Sequence, residues 1–141
     1  MTPTQSLVLA CASVVVLTFI VGVRMFQVRV REMRKERIHP QSLALSQARS
    51  QKLTDSRASD NFNNLLEIPI LFYALCIAAI AAQHTPVWLA ALAWVFVALR
   101  VVHSWIQCTY NKVMHRFRVF VLGYLLVTGM WVAFAISFIT T

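Results

Sequence analysis

RASDNFNNLLEIPILF, residues 57–72, opens a long apolar segment and yet carries Asp60, Asn64 and Glu67. Those three stand at i, i+4 and i+7, which on a helix places them on one face, with Arg57 one turn earlier. Leu65, Leu66, Ile68, Ile70, Leu71 and Phe72 supply the apolar remainder, suited to lipid or to a neighbouring helix. Pro69 has no N–H, so it withdraws one backbone donor and frees the carbonyl of Leu65. A carboxylate inside an apolar helix is costly and faces a partner or a water-filled cavity. The stretch therefore predicts a membrane-crossing helix that keeps polar chemistry near one of its ends.

Outward from it, the apolar run continues to Gln83, which gives a span over about 59–83 with Ser59 or Asp60 as its N-cap. Tyr73 to Ala82 is apolar and Ala-rich, which allows close helix packing. Gln83-His84-Thr85-Pro86 is a short turn without Lys or Arg, and a third span follows over about 87–109. Late in that span Arg100, His103 and Gln107 fall at i, i+3 and i+7 and share a face. A polar turn from Thr109 to His115 leads to a fourth span, about 118–139, directly after Arg116 and Arg118.

Upstream, residues 1–23 hold no charged side chain, and the apolar run from Leu7 predicts a first span over about 6–28. Positive charge follows this run rather than preceding it, so it reads as a retained span and not a cleaved signal. Cys11 ends the string VLAC, but the short apolar run and the absence of a preceding basic residue argue against a lipidation site. The segment 29–58 holds eight of the thirteen Lys and Arg residues. Arg29, Arg31, Arg34, Lys35 and Arg37 continue the first helix out of the membrane until His39-Pro40 breaks it. The remainder, through Ser56, reads as a Ser- and Gln-rich loop with one short surface helix.

The reading is an all-α, integral membrane four-helix bundle, a single domain over 1–141. Apolar residues make up 59% of the chain and charged residues 13%, outside the range of an ordinary soluble domain. The net charge of +8 is blocked beside spans, so anionic lipid head groups are the expected partner and nucleic acid is not. The positive-inside rule puts both basic loops in the cytoplasm and both termini outside, in a bilayer such as a bacterial inner membrane. Cys11, Cys76 and Cys108 sit in apolar segments as small hydrophobes, and no two histidines have metal spacing, so no metal is expected. Trp88 fits an interfacial belt.

This topology sets the Asp60/Asn64/Glu67 face and the Arg100/His103/Gln107 face at one depth, near the cytoplasmic surface. Glu67 and Arg100 are placed to neutralise each other across two helices, with hydrogen bonds from Asn64 and His103. Such a set serves either as a structural clamp or as a pocket for a charged ligand. A chain this small cannot shield both polar faces from lipid alone, which predicts a neighbouring subunit beside it.

Two motifs at that depth resemble the MAPEG family, the membrane-associated proteins of eicosanoid and glutathione metabolism, over nearly the whole chain. The first reads Arg57, Asn64-Leu-Leu-Glu67, Pro69 and Phe72; the second reads Arg100-Val-Val-His103, Tyr110-Asn111, Arg116-Phe-Arg118 and Gly123. The resemblance implies a homotrimer that binds glutathione between subunits near the cytoplasmic face. It implies glutathione-binding roles for Asn64, Glu67, Arg100, His103 and Arg31, with Arg116 stabilising the thiolate. Where glutathione-using members carry an arginine one turn before the Asn, this chain has Asp60. Where they often carry tyrosines, it has Gln107 and Phe120. Two activities are consistent with the resemblance: a glutathione-dependent transferase or peroxidase acting on lipophilic electrophiles, or a non-catalytic member that binds a lipid or a partner membrane protein.

Overall fold

The computed structural model describes residues 1–43 and 53–140. Its long elements are four helices: α1 Pro3–Lys35, α2 Arg57–Ala81, α3 Val87–Cys108 and α4 Val113–Thr140. A 3-10 turn, Pro40–Leu43, lies in the first connection. The short surface helix expected in that loop falls largely on residues 44–52, outside the described residues. All four helices are long and apolar enough to cross a membrane, which fits a multi-pass integral membrane protein in contact with lipid.

Helix ends follow from local chemistry. Thr2 and Gln5 form a reciprocal capping box at the start of α1, and Pro3 sits where its missing N–H costs nothing. At 33 residues α1 is roughly 50 Å long, more than the hydrocarbon thickness, so its basic last turns extend beyond the apolar span. The helix stops before His39-Pro40, because Arg37 already adopts a left-handed backbone, φ 51. α2 begins at Arg57, ahead of the expected Ser59 or Asp60 cap, because an Asp55 carboxylate oxygen accepts the Arg57 N–H at 3.2 Å. α4 starts at Val113, earlier than the apolar run alone suggests, and so takes Arg116 and Arg118 into its first turns. Pro69 is accommodated inside α2.

α1 packs on α2 and α3, while α4 packs mainly on α3 and also on α2. The buried positions recur at three- and four-residue steps: Leu7, Ala10 and Val14 on α1; Asn61, Leu65, Ile68 and Phe72 on α2; Gly123, Val127, Met130 and Phe134 on α4. Phe72 and Phe96 stack at 4.5 Å in the middle of this core. Ala79, Ala90 and Ala93 let the helices approach closely in its outer half. The opposite faces carry exposed Phe19, Phe26, Ile70 and Ile136, as lipid-facing surfaces do.

Side-chain bonds pin the two ends of the bundle. At the end holding the N-terminus, Thr4 meets Thr85 (3.1 Å), Trp94 donates to Ser6 (2.9 Å) and His84 meets Ser137 (2.9 Å). At the basic end, Arg57 donates to the Thr109 carbonyl at 2.8 Å and forms an ion pair with Asp55, joining the first loop to the α3–α4 turn. Hydrogen bonds from the Arg57 side chain hold the Asp55 carboxyl below its ordinary pKa.

Candidate functional site

Near the basic end the apolar seam between α2 and α3 gives way to a polar ladder. Asn61 is fully buried; its amide donates to Cys108 Sγ at 3.4 Å and its carbonyl accepts from Ser104 Oγ at 3.3 Å. The next rung joins Asn64, Gln107 and His103. Gln107 Oε1 accepts from Asn64 Nδ2 (3.3 Å) and lies 2.9 Å from His103 Nε2. An amide oxygen only accepts, so Nε2 carries the imidazole proton, and Nδ1 is left without a partner.

Arg100 is the largest fully buried side chain, with none of its surface exposed. Its guanidinium lies 5.4 Å from the Phe96 ring centroid and 6.0 Å from that of Phe120, and none of its nitrogens has an acceptor. Cation–π contact offsets only part of the cost of desolvating the charge. Gly123 makes the room: a Cβ there would stand 2.4 Å from Arg100 Nη2.

Arg116, half-buried in the first turns of α4, donates from Nη1 to Asn111 Oδ1 at 2.9 Å. With Asn64, His103, Val113, Phe117 and Phe120 it lines a cavity of about 200 Å³. The structure thus brings together three of the expected site residues, Asn64, His103 and Arg116, with Arg100 packed behind Phe120. Arg100, His103 and Gln107 are all buried on one face of α3, as their spacing predicts.

Two expectations are corrected. Asp60 and Glu67 do not share a buried face with Asn64; both are exposed, and the bundle-facing line of α2 runs through Asn61, Asn64, Leu65 and Ile68. The Glu67–Arg100 pair is consequently not formed within the chain. The ion pairs among the described residues are Lys35–Glu36 and Arg57–Asp55. Asp60 instead accepts from Ser56 Oγ at 2.8 Å and borders a cleft of about 260 Å³ with Arg29 and Asn63. Arg31 is exposed on the last turns of α1 and lines neither cavity. The structure adds Asn61, Ser104 and Cys108 to the polar cluster that the sequence predicts. Asn61 lies one turn before Asn64, and Ser104 one turn after Arg100, so the signal was there in the spacing. Among the described residues, no group of His, Cys, Asp and Glu is arranged to hold a metal ion.

A family model described as the MAPEG family matches residues 7–136, nearly the full chain and every element of this site. The chain belongs to the MAPEG family. No curated protein and no solved structure matches it in the corresponding searches. Membership makes this chain a membrane protein of the family of glutathione and eicosanoid metabolism. Within this MAPEG chain, the cavity wall beside Arg116 includes Phe120, which has no donor to offer.

Proposed function

We propose that this MAPEG chain is a glutathione-dependent transferase or peroxidase acting on lipophilic electrophiles drawn from the bilayer. One observation carries the reading: the cavity that gathers Asn64, His103 and Arg116 at the basic end of four apolar helices. Arg116 takes part in neither ion pair among the described residues, so its charge is available to an anionic sulfur. Asn64 and His103 bind the peptide from the same cavity. Glu67 and Arg31 complete the grip once subunits associate and bring them against a neighbour, and Arg100 backs the cavity wall from behind Phe120. An apolar groove of about 770 Å³ between α1 and α2, walled by Phe19, Phe26, Phe62 and Leu66, offers a lipophilic molecule room beside the protein. The basic end faces the cytoplasm, where glutathione is found, and both termini lie outside.

Calorimetric titration of glutathione into the detergent-solubilised protein tests this directly. Binding at millimolar concentration or tighter is the expected outcome, and its absence sinks the reading. The second reading, a non-catalytic member that binds a lipid or a membrane partner, is favoured by Phe120 on the cavity wall and Asp60 at the neighbouring cleft. It would then stand.

The functional assembly is a closed homotrimer. The exposed Asp60 and Glu67 sit beside apolar helix faces, and a neighbouring copy would shield them from lipid. Native mass spectrometry in mild detergent should show trimers; a spectrum of monomers alone would refute this.

A further inference from the structure

We propose that Asn111 is the positioning residue for Arg116, fixing that guanidinium at the cavity with a neutral acceptor so that its charge is kept for a bound thiolate. The inference rests on the glutathione reading above and adds to it the residue that prepares the arginine.

Asn111 lies in the turn between α3 and α4 with φ 47, a left-handed backbone that Asn tolerates better than most residues. Its N–H donates to the Ile106 carbonyl at 2.8 Å, which ties the turn to the end of α3. The backbone is therefore fixed before the side chain is used. From this anchored turn Oδ1 reaches the first turns of α4 and accepts from Arg116 Nη1 at 2.9 Å. Arg116 is the cationic side chain on the cavity wall, across from Asn64, His103 and Phe120.

The chemistry of the anchor matters as much as its geometry. A carboxylate at this position would hold the guanidinium more tightly through a charge-assisted bond, but would also neutralise it. An amide fixes the fork and leaves its charge whole. With Phe120 unable to donate, the thiolate depends on that charge all the more. A turn residue chosen only for its left-handed backbone would need no side-chain acceptor, since glycine fills that role.

Two variants separate these roles, read out through the thiol pKa of glutathione bound to the full-length protein, titrated by ultraviolet thiolate absorbance. Asn111→Gly keeps the backbone freedom and removes Oδ1; Asn111→Asp keeps the acceptor and adds a compensating charge. Both should raise the bound thiol's pKa, cutting the thiolate-to-thiol ratio at neutral pH by about threefold or more. A purely structural turn role predicts no change with Asn111→Gly, and an unchanged pKa in that variant overturns the inference. Should Asn111→Gly fail to fold, Asn111→Asp decides alone: a raised pKa supports the proposal and an unchanged one overturns it. If the native protein gives no thiolate signal with glutathione, the glutathione reading itself fails and this inference fails with it. That outcome is distinct, because it is seen before any substitution is made.

Discussion

Arg100→Met should raise the melting temperature of the ligand-free protein. The guanidinium is wholly buried, its nitrogens find no acceptor, and two aromatic faces are its main compensation. Cation–π contact in a desolvated site contributes about 2 kcal/mol, whereas an uncompensated buried charge costs several. Methionine has a similar reach, fills the space between Phe96 and Phe120, and leaves nothing unsatisfied. Its gain should be on the order of 1–4 kcal/mol, the range in which apolar residues replace buried charges. Thermal melts of the two proteins in the same detergent measure this. A melting temperature that falls instead would mean that contact with the two aromatic faces compensates the buried charge in full. Gly123→Ala provides the internal control. In the native background its Cβ meets Arg100 Nη2, so the guanidinium must shift, at a cost set by how far it can move between Phe96 and Phe120. Combined with Arg100→Met, most of that cost should vanish, since the clashing atom is gone.

A wholly buried arginine whose nitrogens find no acceptor is the kind of local inconsistency expected at functional sites. It also marks where the sequence stopped being readable. The four helices were legible because bilayer thickness dictates apolar length, and because Lys and Arg cluster at one end of each hairpin. The Arg100/His103/Gln107 face was legible because helical spacing alone puts those residues together. The azimuth of α2 was not. Consecutive helical residues are turned by roughly 100°, so drawing the inward face through Asp60, Asn64 and Glu67 rather than through Asn61, Leu65 and Ile68 turns the helix away from its observed packing. Charged residues suggested the first line; the three- and four-step run Asn61, Leu65, Ile68 and Phe72 favours the second. The shared level along the bundle was likewise readable, since Asn64 and Gln107 meet, but two groups at one level do not thereby face each other. Glu67 and Arg100 show this. The role of Gly123 was beyond sequence reading, because it depends on a guanidinium from another helix arriving within 2.4 Å of where a Cβ would stand.

Arg116→Ala should abolish thiolate formation while weakening glutathione binding only modestly. A free thiol has a pKa of about 8.5, so only about 3% is ionised at pH 7. Lowering that pKa by two units raises the ionised share to about three quarters and corresponds to about 2.7 kcal/mol. An arginine in a partly desolvated cavity can supply an interaction of that size. Arg116 is half-buried, lines the cavity, and is held by an uncharged partner. Other groups cannot readily take its place. Phe120 has no donor, His103 commits its Nε2 proton to Gln107, and Arg100 lies packed between two rings. Removing Arg116 should therefore return the bound thiol to its free pKa, a loss of about a hundredfold in the thiolate-to-thiol ratio. The peptide would still be gripped by Asn64 and His103, so calorimetry should report a far smaller change in affinity. Ultraviolet difference spectra at neutral pH distinguish the outcomes. A thiolate band that survives in Arg116→Ala would refute the role given to Arg116.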